Sequence, residues 1–380
     1  MRLIHIVENM HDQAVENWIF RIMRDSRRAW PDHHWTFYCV LDREGRLDAQ
    51  VRELGGDVIH SPVAIGDTTG FMRHLHGALR DGRYDVMHAH HDIVSAVYLL
   101  ASLRTGVRRR IVHVHNTAMA LPTPSRMKRA IAWEPMRRTC LALSDRIAGI
   151  SRDALASMLA DAEPRPPRDV VVYYGIDTDK FRNPRRTPEC TRSEIGVKNE
   201  DRLILFAGRM TEYKNPAFAV DVLAEIAESV PNSVLAFAGV GPEAVTVERR
   251  ANEIGLGDRI RILGWRDDLA ELMLASDLLL WPGQEVPKEG LGLGIVEAQA
   301  AGLPIIMSRS VPEDAVVIED LVSIVPLATG PAAWGREAER RLRRTHISRT
   351  DALGQIESSP FSLAAGTANV MALYDGVTPR

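Results

Sequence analysis

Cysteine is scarce in this 380-residue chain. Cys39, Cys140 and Cys190 lie far apart and form no C-x-x-C pair, which excludes a disulfide framework and a zinc knuckle and suits a reducing cytoplasm. Long apolar runs are also missing. Without a window of 18 apolar residues, no helix is expected to span a membrane. The segment Met1–Val7 meets Glu8 and Asn9 too soon for a signal-peptide core and reads as a first buried strand. Charge of one sign is lacking as well. A net charge of −3 argues against a dedicated nucleic-acid binder. What is present is ordinary for a globular protein: 45% apolar and 26% charged residues. That excludes disorder, collagen-like repeats and coiled coil, and the length suggests two domains before three.

Charge is unevenly placed. Residues 1–185 hold 27 Lys and Arg against 22 Asp and Glu, whereas residues 186–380 hold 20 against 28. Two domains with different partners fit that split. In the first half, short apolar runs at 3–7, 36–40, 58–59, 86–89, 111–115, 146–150 and 170–174 alternate with helix-length amphipathic segments such as 15–30 and 71–81. Alternation of this kind predicts βαβ units and a parallel sheet covered on both faces. The basic, proline-bearing stretch from Arg182 to Pro188 reads as a linker, after which the alternation restarts. The expected fold is therefore α/β, with two doubly wound Rossmann-like domains in tandem facing a cleft. The expected boundaries are 1–182 for the first domain, 183–198 for a linker and 199–360 for the second domain. Residues 361–380 hold a final helix with no strand of its own to serve.

Two stretches of the second half carry chemistry. In Phe206-Ala-Gly-Arg-Met-Thr-Glu-Tyr-Lys-Asn-Pro216, a strand ends at Gly208 and a helix is expected to start at Asn215 and Pro216. Arg209 and Lys214 thus flank one strand-to-helix turn, an arrangement suited to a diphosphate. In Glu289-Gly-Leu-Gly-Leu-Gly-Ile-Val-Glu297, a glycine-rich loop runs into a helix. Gly290 and Gly292 allow backbone N–H groups close to a ligand. Glu289 and Glu297 stand roughly 10 Å apart along a helix and suit opposite ends of a long ligand.

These motifs resemble the retaining GT-B glycosyltransferases of family 4, whose signature is G-R-x4-K followed by E-G-x-G-x4-E. Glu297–Pro304, Tyr84–His90 and His113–Asn116 further resemble the capsular and extracellular polysaccharide branch. The resemblance implies a donor site for a nucleotide-diphosphate sugar. Arg209 and Lys214 would hold the diphosphate, Glu297 the ribose, and Glu289 the transferred sugar, helped by Gly290, Leu291, Gly292 and Leu293. Gly208, Gly239 and Gly241 would line the nucleotide, and the loop at Gly264 and Trp265 would meet the base. It implies no metal and no other cofactor. The catalytic set would be Glu289, His115, Arg209 and Lys214. The acceptor, a glycan or lipid-linked glycan, would be met by Asn9, His11, His90, His115 and Asn116. The last helix would cross back to the first domain.

The chain departs from the family in places. Asn9–Asn17 lacks the usual Gly-Gly pair after the first strand, and Tyr174-Gly175 stands where Asn-Gly is common. Basic residues between Arg126 and Arg138 suggest contact with a membrane surface, and so a peripheral place at the inner face.

Other readings compete. Gly239–Ala244 fits a loose dinucleotide pattern, but no acidic residue ends the next strand and Pro242 removes an N–H. Asp177-Thr-Asp179 reads as a turn rather than a metal-binding pair. The histidines at 88, 90 and 91 read as cleft lining before metal ligands. A sugar-nucleotide epimerase of the same fold and a non-catalytic nucleotide-sugar-binding partner subunit are the alternative functions.

Overall fold

The structure is a computed structural model that describes residues 1–11, 14–117, 133–160 and 162–379. The chain divides into two compact units: residues 1–175 with 363–380, and residues 176–362.

Among the described residues, the first unit holds seven strands: β1 (Arg2–Val7), β2 (His34–Cys39), β3 (Asp57–His60), β4 (Val86–Ala89), β5 (Arg109–Val114), β6 (Arg146–Gly149) and β7 (Asp169–Val171). They form one parallel sheet in the order β3-β2-β1-β4-β5-β6-β7. The second unit repeats the plan with β8 (Arg202–Ala207), β9 (Ser233–Ala238), β10 (Ile260–Gly264), β11 (Leu278–Trp281), β12 (Ile305–Met307) and β13 (Val322–Ile324). Its order is β10-β9-β8-β11-β12-β13, again parallel. The doubly wound architecture expected from the alternation is the architecture present. Strands such as β9 read as continuous apolar runs because both faces are covered. Ile204, Phe206, Leu235 and Phe237 bury against the helix Pro216–Ile226 and against Trp334.

The contact division falls at Gly175, ahead of the expected boundary at 182. Residues 183–198 lie inside the second unit and are not a free tether. They contain the helix Pro188–Glu194, capped by the Thr187 hydroxyl, which accepts from the Cys190 N–H. Arg192 anchors this helix by donating to the carbonyls of Ala275 and Asp201 and to the Asp277 carboxylate. The final helix, Leu363–Asp375, belongs to the first unit.

Candidate functional site

In the second unit, the loops after β8, β9 and β10 are stitched together by backbone. Gly208 N–H donates to the Ala238 carbonyl at 2.9 Å, Met210 N–H to Val240 at 2.9 Å, and Gly239 N–H to Gly264 at 2.8 Å. The approach is close enough to dictate glycine. A Cβ at Gly239 would lie 1.9 Å from the Gly208 carbonyl oxygen, and one at Gly241 2.1 Å from that of Met210. Both glycines are thus required by neighbouring backbone, whatever ligand they also meet. Trp265 and Val240 stand out from this rim, 63% and 55% exposed.

Arg209 points outward and is exposed. Lys214 does not. It ends the short turn Glu212–Lys214, and its ammonium lies 2.7 Å from Oε2 of Glu289. It also stands 4.5 Å from the centre of the Trp281 ring. The Trp281 indole N–H donates to Oε1 of Glu289 at 2.7 Å. Glu289 is therefore gripped at both oxygens, with its own N–H bonded to the Ser310 carbonyl. Asn215 occupies the position before Pro216 as expected, but in the left-handed conformation (φ 53°) and without a side-chain cap. The tight turn that presents Lys214 takes the place of a capping bond.

The glycine-rich loop enters the helix Leu293–Ala300 at Gly292, whose φ is 79°. A Cβ there would lie 2.5 Å from Val311. The first-turn N–H groups carry no side-chain cap, which leaves a helix N-terminus ready for an anion. Gly290 is half-buried and Leu291 buried. Glu297 borders a separate small cavity of about 40 Å³ with Lys180, Asp267 and Met273. Asp177-Thr-Asp179 leads into the helix Asp179–Arg182, in keeping with a turn.

In the first unit, the acceptor-side residues fall into two groups. Asn9 is fully buried, and neither atom of its amide has a hydrogen-bond partner among the described residues. His11 is half-buried and Asn116 exposed. Asn116 Nδ2 donates to Asp92 Oδ2 at 2.9 Å, while His115 N–H donates to Asp92 Oδ1 at 2.7 Å. Asp92 itself has φ 44°, and burial raises its carboxyl above the usual range.

His90 and His115 belong to something larger. Alternate residues of a strand share a face, and β1, β4 and β5 place His5, His88, His90, His113 and His115 together. Their ring nitrogens, with two tyrosine hydroxyls, form one chain. His113 Nδ1 lies 3.1 Å from His88 Nε2, and His88 Nδ1 lies 3.0 Å from the Tyr374 hydroxyl. That hydroxyl lies 3.1 Å from His5 Nε2, His5 Nδ1 3.1 Å from His90 Nε2, and His90 Nδ1 3.0 Å from His115 Nε2. His115 Nδ1 meets the Tyr174 hydroxyl. Trp18 lies edge-on to His113 and stacks on Tyr174. Burial, before any neighbouring charge, lowers every one of these imidazoles, His5 and His113 to about 3. They are neutral, so each offers one donor and one acceptor, and within a run of bonded rings the direction of donation carries from one ring to the next.

Two triads within it, His5–His88–His90 and His90–His113–His115, keep ligand atoms within 4.8 Å. Their geometry is that of a metal shell in part, yet every ring nitrogen but His113 Nε2 is occupied in bonding another histidine or a tyrosine hydroxyl. His115 was expected in the catalytic set and on the acceptor side. Here it is 7% exposed and both its nitrogens are engaged, so it must exchange a bond with His90 or Tyr174 to meet a ligand. Sequence reasoning missed His5, His113, Trp18, Tyr174, Tyr374, Asp92 and Trp281 as members of these groups. The alternation of histidine in 88–90 and 113–115 was the available signal.

Of the basic stretch, residues 126–132 lie outside the described residues. Arg137 and Arg138 both donate to Glu134, and these bonds lower its carboxyl to about 2. No helix among the described residues is long and apolar enough to cross a membrane.

This chain is similar in sequence and fold to known proteins. The model for glycosyl transferases group 1 matches residues 189–330, and that for glycosyltransferase family 4 matches residues 16–180. EpsF of Bacillus subtilis, which carries a glycosyltransferase name, is 26% identical over 89% of this chain and 87% of its own length. The UDP-Gal:alpha-D-GlcNAc-diphosphoundecaprenol alpha-1,3-galactosyltransferase of Escherichia coli is 25% identical over 62% of this chain and 60% of its own. The crystal structure of HepE of Anabaena in complex with UDP superposes with a TM-score of 0.80 at 15% identity, covering 99% of this chain and 100% of that one.

Proposed function

We propose that this chain, a member of the GT-B glycosyltransferases whose two domain models it matches, is a retaining, metal-independent transferase that takes a sugar from a UDP-sugar. The acceptor is a hydroxyl of a glycan or lipid-linked glycan in polysaccharide synthesis. The observation that carries this is the Lys214–Glu289 pair at the mouth of a glycine-rich loop, with the exposed Arg209 on the same loop as Lys214. A diphosphate needs cations and oriented N–H groups, and a sugar needs a fixed carboxylate. The choice of uridine rests on relatives: the E. coli protein is named for UDP-Gal, and HepE is described with UDP and with UDP-glucose.

Leaving-group stabilisation does most of the chemistry. Arg209, Lys214 and the N–H groups of Gly290 to Leu293 take up charge on the departing diphosphate. Transfer proceeds on the face the leaving group departs from, and the acceptor proton passes to a departing phosphate oxygen. Glu289 orients the sugar, and His115 belongs to the catalytic set. Glu297 takes the ribose. Gly208, Gly239, Gly241 and Trp265 frame the nucleotide. Asn9, His11, His90 and Asn116 form the acceptor side, and residues 126–138 meet the membrane surface.

The test is thermal stabilisation by UDP, GDP, ADP, dTDP and NAD in EDTA. A ligand that binds only the folded state adds about 2.7 kcal/mol at one hundred times its Kd. UDP alone is expected to shift the transition, and Glu297→Ala to remove the shift. NMR of the product then reads the anomeric configuration. Binding of NAD alone, an absolute metal requirement, or an inverted linkage overturns the assignment.

A further inference from the structure

Trp281 closes a three-way contact that neither glycosyltransferase motif contains. Its indole N–H donates to Glu289 Oε1 at 2.7 Å, while its ring face lies under the Lys214 ammonium at 4.5 Å. Lys214 holds the other oxygen, Oε2, at 2.7 Å. The indole is 8% exposed. Its far edge reaches the helix start: a Cβ at Gly294 would lie 2.9 Å from both Cη2 and Cζ3. Its own carbonyl accepts from the Ser308 N–H at 3.0 Å. The ring is thus fixed from strand, helix and loop, and it touches both members of the ion pair.

We propose that Trp281 is a positioning residue that lets Lys214 and Glu289 exchange partners when donor binds. This rests on the donor site proposed above. With no donor, Lys214 and Glu289 neutralise each other, which offsets the cost of keeping two largely buried charges out of water. An arriving diphosphate offers the ammonium a second anion. If Lys214 were the only anchor of Glu289, its turn toward phosphate would release the carboxylate. The indole N–H keeps Oε1 in place, so only Oε2 is freed, and it is freed for a sugar hydroxyl. The ring face keeps the ammonium close throughout, since a cation over indole is attracted whichever anion it serves. Phenylalanine retains a face but not the N–H, so Trp281→Phe separates the two functions.

Two measurements judge this. In steady-state transfer, Trp281→Phe is expected to leave the affinity for UDP within about threefold while kcat for the UDP-sugar falls about 10- to 100-fold, the effect of losing one hydrogen bond to a charged group. In a Glu289→Ala background, the same change is expected to have no further effect on kcat, because Trp281 acts through Glu289. Additive losses, or a matching fall in UDP affinity, overturn the proposal. The second measurement needs no activity. Among the seven tryptophans, the indole resonance that vanishes in Trp281→Phe is expected far downfield in the ¹H–¹⁵N spectrum. It should move upfield in Glu289→Gln and hold its place on adding UDP. A Trp281 resonance among the solvent-exposed indoles, or one released by UDP, overturns it too. A wild-type protein that binds no nucleoside diphosphate overturns the donor site instead, and the Glu289→Gln spectrum then decides whether Trp281 holds the carboxylate at all.

Discussion

The Tyr374 hydroxyl sits between two histidines: 3.0 Å from His88 Nδ1 and 3.1 Å from His5 Nε2. Among the described residues, it is the hydrogen-bonding link that joins the two halves of the buried histidine chain. Tyr374→Phe leaves two ring nitrogens, His88 Nδ1 and His5 Nε2, unpaired in a dry place. Each unsatisfied group costs about 1–3 kcal/mol, so urea denaturation should show a loss of that order with an unchanged m-value. A midpoint equal to wild type would mean that water enters and replaces the hydroxyl.

Acid should unfold the first unit through the same chain. The five imidazoles are neutral when folded, with His5 and His113 lowered to about 3. In the unfolded chain they titrate near the usual 6.5. Between those limits the unfolded state binds more protons, so stability is full above 6.5 and falls as pH drops toward 3. Each such group adds about 1.4 kcal/mol per pH unit to the slope. His5→Gln is expected to shallow the dependence of stability on pH between 4 and 6 by one proton. An unchanged slope excludes His5 as a neutral buried base.

Glu16 works in the opposite sense. Burial first, and the Glu8 charge second, raise its carboxyl to about 7. Its folded value exceeds its unfolded one, so its contribution is complete below about 4.5 and is lost as pH rises through 7. Glu16→Gln should therefore stabilise the protein at pH 8, by roughly 1–3 kcal/mol after discounting for partial solvent access, and change little at pH 4.5. Equal effects at both pH values would show that the carboxyl stays ionised.

Arg209 and Lys214 should separate in a single pair of variants. Arg209 is exposed, and Arg209→Met should leave the unliganded transition within about 0.5 kcal/mol of wild type while weakening UDP binding. Lys214 neutralises Glu289 in a half-buried setting, so Lys214→Met should weaken UDP binding and also lower stability by about 3 kcal/mol. Calorimetry with and without UDP reads both. An unliganded Lys214→Met protein as stable as wild type would mean Glu289 turns to water instead.

Gly239→Ala should be worse than Gly208→Ala. Both positions have a φ that strains an L-residue, 154° and 149°, yet only Gly239 faces backbone, 1.9 Å from its Cβ position. Gly208 has open space there. The difference in urea midpoint isolates the clash, expected at about 2 kcal/mol or more. Indistinguishable variants would mean that the β8 loop yields.

The strands were legible because a parallel sheet covered on both faces leaves continuous apolar runs such as Leu203–Phe206 and Leu278–Trp281. The loop positions of Arg209, Lys214 and Glu289 were legible because a parallel sheet presents loops at the carboxyl ends of its strands. Short helices were not. Asp48–Glu53 and Pro188–Glu194 are two turns or less and mostly polar, so no apolar period marks them. The histidine chain was half visible. Alternation put His88 with His90 and His113 with His115 on one face, but His5 and Tyr374 are 369 positions apart and meet only through the fold. The role of Trp281 was hidden by its type, since tryptophan at the end of a buried strand reads as core. His115 was expected to be available to ligand. Its two occupied nitrogens depend on neighbours that no spacing announces.

The stitching of Gly208, Gly239 and Gly264 has a consequence for redesign. Where three loops share carbonyls and N–H groups so closely, none can lengthen or take on a side chain alone without prying at the other two. If the proposed donor site holds, base preference is to be altered through substituents that already leave the seam, Val240 and Trp265, and not through the seam itself. A library confined to those two positions varies the exposed rim of the proposed donor site while leaving the seam intact.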